Sequence, residues 1–419
     1  MNLANRRVVI TGLGPVTPIG IGKEEFWDNL VECNSNFGEI TRVELQEWDR
    51  VRIAAEINNF DPADYVDERT LAAVRKVSPR GGMASWYALA AARLGAKDAN
   101  LDLQEMALDR VGVIMGTGAG DLEIMRRGEG SFIRAAFALG NTPAAFIARD
   151  LGTRGICQGV SAACATGNIA LSNAYDKIVL GHQDLLFVGS TETPINAPFY
   201  LGTEHHRRNG QPALSQRVDA RGPLPFDADR DGTVLSEGAS VLVLEELEHA
   251  LARDAEIYCE VLGYGDHTWL GKNLVEISEE GYSLAMRNAI KSARIADDLA
   301  SMLCASKVYI NAHGSGTIKN DQVESAAIKK LFDSKAPVSS FKGTIGHVQA
   351  ASSAGELVGS VLTLSHGVIP KSNLKTPASD CAKLDYVCAA REQSLELVLK
   401  NAAGFGGAYS TVVLGRYQN

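Results

Sequence analysis

One cysteine stands where nucleophilic chemistry is expected. Cys164 follows a short β-rich run, lies among the small residues 161–167 and precedes a helical pattern that ends at Gly181. A cysteine at a helix start feels unpaired backbone N–H groups and the positive end of the helix dipole, which favour the thiolate and lower the thiol pKa. We therefore predict a nucleophile that a substrate carbonyl can approach closely, because its neighbours are small. A buried structural cysteine is the alternative interpretation.

Two histidines and a lysine follow predicted strands farther along the chain. The strand 308–312 is followed by His313, and the strand 337–341 is followed by Lys342, with His347 five residues on. In parallel α/β sheets the carboxyl ends of the strands form the functional edge. We therefore expect both imidazoles and the ammonium group to meet the helix-start cysteine in one catalytic site.

Alternating strand and helix patterns must position these groups. Apolar runs such as 111–115 and 185–188 are almost continuously hydrophobic, which is typical of strands covered on both faces. They predict an α/β fold with a mainly parallel sheet. The order of elements restarts from about residue 257, a weak internal duplication. We therefore predict an N-terminal half, 1–250, that carries the nucleophile, and a C-terminal half, 251–419, that carries the lysine and both histidines.

Composition and charge exclude several classes of protein. Of the 419 residues, 45% are hydrophobic and 22% are charged, as in an ordinary globular protein. The net charge of −9 argues against a general role on nucleic acid or at a membrane surface. No apolar run approaches the roughly 18 residues of a membrane span. The seven cysteines contain no CxxC pair and indicate neither a disulfide framework nor a zinc site, so we expect a cytoplasmic setting and no metal.

Several spaced blocks of the sequence resemble one enzyme family. SAACATGN (161–168), NAHGSGTIKND (311–321), FKGTIGH (341–347) and NAAGFGG (401–407) are similar to the signature blocks of elongating type II β-ketoacyl-acyl-carrier-protein synthases. Together with PFDADRDGTVLSEGASVLVLEE (225–246), they extend the resemblance over essentially the whole chain. It implies a thiolase-like fold of duplicated αβαβα layers with two mainly parallel or mixed sheets. It also implies a dimer and a decarboxylative Claisen condensation with malonyl-acyl carrier protein, whose phosphopantetheine delivers the substrates without a further cofactor.

The resemblance gives each matching residue a role. Cys164 matches the nucleophile that takes the acyl chain, and His313 and His347 match the pair that drives malonyl decarboxylation and stabilises the enolate. Lys342 matches the lysine that orients this network. Glu356 matches a buried supporting acid, although a paired core carboxylate is the alternative.

Further matches concern the oxyanion that forms on the substrate carbonyl and the pantetheine arm that carries the substrate. The backbone N–H groups of Cys164 and Phe405 match the oxyanion hole. Ser315 and Thr317 match positions that hydrogen-bond the pantetheine arm.

Two departures from the family pattern concern the acyl chain. Ala403 stands where an aromatic gate is common, and Ala119 stands where a branched side chain often limits the acyl pocket. Both changes remove volume, so we predict a wider or differently gated tunnel for a polyene, aryl-primed or other specialised chain of a polyketide type. Compensation by neighbouring residues is the alternative, as is housekeeping fatty-acid elongation.

Other functions and the partners stay open from the sequence. A chain-length-factor subunit would lack Cys164, and a thiolase would place a second cysteine where Phe405 stands; an acyltransferase or hydrolase using Cys164 is a further alternative. The resemblance implies an acidic carrier protein as partner and a homodimer or a heterodimer with a chain-length-factor-like subunit. Candidate basic docking residues, or simply solvated surface, are Arg75, Lys76, Arg126, Arg127, Arg207 and Arg208.

Overall fold

A computed structural model describes residues 6–46, 49–77, 82–120, 138–196, 213–295, 301, 303 and 307–418. The candidate docking residues Arg126, Arg127, Arg207 and Arg208 lie outside the described residues, and so does the side chain of Lys76. Within the described part of the chain, no helix is both long and apolar enough to cross a membrane.

The N-terminal part alternates strands and helices. The strands are β1 Val8–Thr17, β2 Gly20–Ile21, β3 Phe37–Glu39, β4 Ile53–Ala55, β5 Val111–Gly116, β6 Cys157–Val160, β7 Leu185–Glu192 and β8 Gly238–Glu246. The helices are α1 Lys23–Glu32, α2 Glu68–Val77, α3 Met83–Asp98, α4 Thr142–Leu151, α5 Thr166–Val179 and α6 Leu247–Ala252.

The C-terminal part repeats this alternation. Its strands are β9 Cys259–Thr268, β10 Val308–Asn311, β11 Pro337–Ser339, β12 Val368–Ile369, β13 Asp385–Tyr386, β14 Arg391–Glu392, β15 Leu397–Gly404 and β16 Ala408–Gly415. Its helices are α7 Glu279–Ser292, α8 Ile318–Phe332, α9 Lys342–Ile345 and α10 Ser352–His366.

The strand order shows the duplication directly. The first half runs β6-β5-β7-β8-β1 and the second runs β11-β10-β15-β16-β9, which is the same order of strands within each half. In both halves the first three strands of this order pair in parallel and the last two pairings are antiparallel. The predicted α/β class and duplicated topology are confirmed, with a sheet that is mixed within each half.

The two predicted sheets are joined by hydrogen bonds into one. Strand β1 pairs antiparallel with β9, from Val8 opposite Val261 to Ile10 opposite Cys259. Backbone pairing therefore continues across the middle of the chain, and the division near residue 250 stays a prediction.

Helices cover both faces of each half. α5 and α10 pack against each other and share one apolar cluster with the inner strand faces. α3 and α4 cover the outer face of the first half, and α7 and α8 cover that of the second. The central helix α10 is buried along most of its length, as expected for a helix whose sequence is apolar or small on every side.

Close packing of β1 against α3 depends on one glycine. A Cβ added at Gly14 would lie 1.9 Å from the carbonyl oxygen of Ala91 and 2.6 Å from the backbone nitrogen of Gly95. Both contacts are with helix backbone, which cannot move aside as the end of a side chain can. Only a residue without a Cβ lets this helix approach the strand so closely.

We predict that Gly14→Ala lowers the free energy of unfolding by about 3 kcal/mol, because the methyl group overlaps the backbone of α3. Urea unfolding measures the change through the midpoint at a constant slope. Gly38→Ala is the matched control, because a Cβ there meets no atom within 4 Å. Equal midpoints for the two variants would contradict the packing account.

Candidate active site

Equivalent places in the two halves bring the candidate residues together. Cys164 lies between β6 and α5, and His347 lies between β11 and α10, the corresponding connection of the second half. The helices α5 and α10 are neighbours in the central layer, and the N–H of Asn168 donates to the hydroxyl of Ser353 at 3.2 Å, so the starts of the two helices lie side by side. His313 follows β10, which pairs in parallel with β11. The predicted meeting of strand ends with the helix-start cysteine is therefore present in the fold.

The turn that carries Cys164 is held in an unusual conformation. Ala163 has a φ of 48°, in the left-handed region that a residue with a Cβ rarely adopts. The hydroxyl of Thr166 donates to the carbonyl of Ala163 at 2.6 Å and accepts from the N–H of Ala162 at 2.8 Å. These hydrogen bonds hold the turn. Cys164 lies within it, two residues before the first residue of α5.

The Cys164 thiol is buried and protonated in the free protein. The residue is only 7% exposed, and burial raises the pKa of its thiol to about 12, against an opposing effect of the Lys342 ammonium. The expected lowering of this pKa at the helix start is therefore wrong, because removal of the thiolate from water outweighs it. The thiol donates to Oε1 of Gln349 at 3.6 Å, a partner that sequence reasoning missed.

Both histidines present the same tautomer. The N–H of Gln349 donates to Nδ1 of His347 at 2.9 Å, and the hydroxyl of Ser352 lies 2.9 Å from the same atom. The N–H of Ala403 donates to Nδ1 of His313 at 3.4 Å. A neutral imidazole whose Nδ1 accepts carries its proton on Nε2. Each ring therefore offers an Nε2–H donor.

The environment also keeps both imidazoles uncharged. His313 and His347 are 5% and 4% exposed, and their ring centroids lie 5.8 Å apart. Burial, followed by the nearby Lys342 ammonium, holds the pKa of each well below its ordinary value. The site thus contains two adjacent neutral hydrogen-bond donors beside a buried thiol.

A buried carboxylate lies between two ammonium groups. Oε1 of Glu356 is 2.5 Å from Nζ of Lys342, and Oε2 is 2.8 Å from Nζ of Lys400. Lys342 also donates to the carbonyl of His313 at 2.8 Å. Glu356 is therefore a paired core carboxylate that at the same time holds Lys342 against His313. Sequence reasoning missed Lys400, whose only signal is a lysine inside an apolar strand pattern.

A second buried acid holds the loop after β10. The N–H groups of His313 and Gly314 each donate to Glu324 at 2.8 Å. Burial raises the pKa of Glu324 to about 7. Sequence reasoning missed Glu324 because its inward orientation on α8 depends on tertiary packing.

The glycine turn 404–407 contacts the nucleophile turn. A Cβ at Gly404 would lie 2.5 Å from the carbonyl oxygen of Ala162 and 3.1 Å from the backbone nitrogen of Cys164. Phe405 follows directly, with 54% of its surface exposed. The predicted oxyanion partners are thus neighbours, and their role stays a prediction. The hydroxyls of Ser315 and Thr317 lie 2.9 Å apart in the loop after His313, and their contact with pantetheine stays a prediction too.

The two tunnel candidates lie in different surroundings. Ala403 is 2% exposed and belongs to the apolar cluster between the sheet and α7, with the buried ring of Tyr409 directly opposite on β16. Ala119 is exposed at the surface of the chain. Tyr409 borders the space beside Ala403, and the gating roles stay predictions.

Arg75 is the docking candidate whose side chain the structure describes. Arg75 lies on α2 with its guanidinium 3.9 Å from Asp61 and its side chain 57% exposed. Among the residues that the structure describes, no group of three or more histidine, cysteine or acidic side chains could hold a metal ion.

Comparison with known proteins gives a consistent family. The models for the β-ketoacyl synthase N-terminal domain and C-terminal domain match residues 5–250 and 258–374. The chain is 32% identical to 3-oxoacyl-[acyl-carrier-protein] synthase 2 of Synechocystis sp., and the alignment covers 100% of both chains.

Two solved structures have the same thiolase-like fold. The ishigamide ketosynthase/chain length factor superposes with a TM-score of 0.86 at 28% identity, over 99% of this chain and 100% of that chain. A type II polyketide ketosynthase, solved in complex with its acyl-carrier protein and bound to the hexaketide, gives a TM-score of 0.85 at 27% identity with the same coverage.

We predict that alkylation of Cys164 by iodoacetamide accelerates about tenfold per pH unit from pH 7 to 10 without a plateau, because a thiol with a raised pKa ionises little in this range. Mass spectrometry of the modified peptide measures the rate. The exposed thiol of Cys388 in the same protein controls for the reagent. A plateau below pH 9 would show that the helix start outweighs burial.

Proposed function

Since this chain belongs to the β-ketoacyl synthase family and is an acyltransferase of that type, we propose that it performs a decarboxylative Claisen condensation with Cys164, His313 and His347. The observation that carries this assignment is the pair of neutral Nε2–H donors beside a buried thiol. Such donors suit an oxygen that becomes negative during the reaction.

Acylation comes first. The sulfur of Cys164 attacks the thioester carbonyl of an acyl carrier protein, and the bond from that carbonyl to the pantetheine sulfur breaks. In the free protein the thiol donates its proton in a hydrogen bond to Gln349. In this step that proton is transferred to the departing pantetheine sulfur. The backbone N–H groups of Cys164 and Phe405 stabilise the oxyanion between these events, which the contact of the glycine turn with the nucleophile turn supports.

Decarboxylation and bond formation follow. The bond between the malonyl carboxylate and its methylene carbon breaks, carbon dioxide leaves, and the electron pair passes into an enolate whose oxygen accepts hydrogen bonds from His313 and His347. The enolate carbon attacks the acyl carbonyl on Cys164, the bond from that carbonyl to the Cys164 sulfur breaks, and the expelled thiolate takes up a proton from solvent. Neutral donors suit this step because they stabilise the new charge without first giving a proton away.

Alternative chemistries fit the residues less well. A thiolase would need a second cysteine at the position of Phe405, and a chain-length factor would lack Cys164. We propose that the chain acts in specialised polyketide or polyene synthesis. The small side chains of Ala119 and Ala403 support this, as does the similarity to the ishigamide ketosynthase/chain length factor and to a type II polyketide ketosynthase.

We also propose the partners from surface features. Strand β6 is the edge of the sheet, its Cys157 is exposed, and the nearby Ala119 is exposed as well, which suits pairing with a second subunit, either a copy or a chain-length-factor-like chain. Exposed Arg75 is a candidate contact for the acidic carrier protein, which supplies the phosphopantetheine. The free cysteines of the described residues support a reducing, cytoplasmic setting.

We expect single substitutions to abolish either acylation of Cys164 or decarboxylation of the malonyl group while the other step remains. Cys164→Ala abolishes the acyl adduct but still releases carbon dioxide from malonyl-carrier protein, whereas His313→Ala keeps the adduct and loses decarboxylation by about a hundredfold or more. Intact-protein mass spectrometry and carbon dioxide release measure the two steps. His366→Ala, an exposed histidine that stacks on Trp27, is the control. An adduct on another residue, or undiminished decarboxylation without His313, would overturn the assignment.

We expect Ala403→Phe to shift the enzyme toward short saturated chains, because a second ring opposite Tyr409 narrows the space at the strand end. The ratio of kcat/KM for a polyene acyl carrier to that for an octanoyl carrier should fall about tenfold or more, since even one methylene in an apolar pocket changes such a ratio by about tenfold. The ratio comes from one preparation and so corrects for loss of folded protein. An unchanged ratio would contradict the tunnel proposal.

A further inference from the structure

Lys400 is a fully buried lysine that the reaction steps described above do not use. It lies on β15 and has 0% exposure to solvent. Besides its contact with Glu356, its Nζ donates to the carbonyl of Asn401. Its own carbonyl accepts from Nδ2 of Asn168 on α5 at 3.1 Å. Lys400 therefore links the strand before the glycine turn to both central helices.

The position of Lys400 is electrostatically unusual. Glu356 is already paired with Lys342, so two ammonium groups face one carboxylate in a site without solvent. An apolar residue of similar volume would satisfy packing without the desolvation of a second charge. Burial lowers the pKa of Lys400, and the charge of Glu356 opposes this effect. The ammonium group therefore needs a reason other than packing.

The charge of Lys400 acts on the histidine pair. Burial is the largest cause that lowers the pKa of His313 and of His347, and the positive charges of Lys342 and Lys400 lower both pKa values further. A positive potential at this point disfavours the imidazolium form and favours negative charge on a bound enolate. The titratable and charged groups around the pair are Lys342 on α9, Lys400 on β15, Glu356 on α10, Glu324 on α8, Glu192 at the end of β7 and the Cys164 thiol.

We propose that Lys400 is a positioning residue of the condensation: through Glu356 it fixes Lys342 against His313, and its charge keeps both imidazoles as hydrogen-bond donors to the enolate. This inference rests on the proposed function. It predicts that Lys400 matters more for decarboxylation than for acylation, since Nζ of Lys400 contacts Glu356 and the carbonyl of Asn401, whereas the Cys164 thiol donates to Gln349.

The test is the pH dependence of carbon dioxide release from malonyl-carrier protein by Lys400→Met. Without the charge, the pKa of each imidazole rises, so the neutral form is lost at a higher pH. We expect the acid limb to move up by about one pH unit and the rate on that limb to fall about tenfold. The rate of acyl adduct formation on Cys164 should stay within twofold. Lys307→Met removes a partly exposed lysine elsewhere and should leave the profile unchanged.

The outcomes separate this inference from the proposed function. An active wild-type enzyme whose Lys400→Met variant keeps the wild-type profile overturns the role of Lys400 alone. A wild-type enzyme that releases no carbon dioxide overturns the proposed function and this inference with it. Lys400→Arg keeps the charge and should keep the acid limb in place, which a purely steric role would not produce.

A measurement on the unaltered protein covers the case in which Lys400→Met does not fold. Nitrogen-15 NMR of labelled histidine in the wild type should show His313 and His347 as neutral Nε2–H tautomers throughout the pH range in which an ordinary histidine becomes protonated. Midpoints for this pair at or above that of an ordinary histidine would overturn the proposal. His366, which is exposed, provides an internal reference signal.

Discussion

The salt bridges of one buried carboxylate organise the active site. Glu356 lies on the central helix α10 and pairs with Lys342 from α9 and Lys400 from β15, so three elements of the second half are tied together at a point buried from solvent. Removal of Glu356 would leave both ammonium groups uncompensated, and loss of a buried partner of this kind destabilises a protein by about 3–5 kcal/mol. The same contacts hold Lys342 on the carbonyl of His313, so stability and catalytic geometry depend on the same interaction.

The duplicated topology explains why distant residues meet. Corresponding strands of the two halves, β6 and β11, precede the helices α5 and α10, and these two helices form the central layer. Their starts carry Cys164 and His347, while the neighbouring strand end carries His313. Because β1 and β9 are hydrogen-bonded, the halves cannot move apart without breaking the sheet. The site therefore combines a thiol from one half with imidazoles from the other in a rigid arrangement, as the proposed chemistry requires.

Sequence reasoning identified the groups that stand at strand ends and helix starts, because turn glycines and apolar runs mark those positions. It predicted that Cys164, His313, Lys342 and His347 meet, and the structure brings these residues together, while their catalytic roles stay predictions. The predicted lowering of the Cys164 pKa was wrong, because burial removes the thiol from water and raises its pKa despite its place at a helix start. It also missed partners that only tertiary packing supplies, namely Gln349, Lys400 and Glu324, and it did not predict that the two sheets join. The family resemblance is confirmed by the comparisons.

The most direct measurement of the central claim traces the malonyl carboxyl carbon during the reaction of the wild-type enzyme. An acyl carrier protein and malonyl-carrier protein labelled at the free carboxyl carbon are mixed with the enzyme, and labelled carbon dioxide and the product are quantified together. The account predicts one labelled carbon dioxide for each new carbon–carbon bond and a β-keto product two carbons longer. Label retained in the product, or chain extension without carbon dioxide, would contradict it.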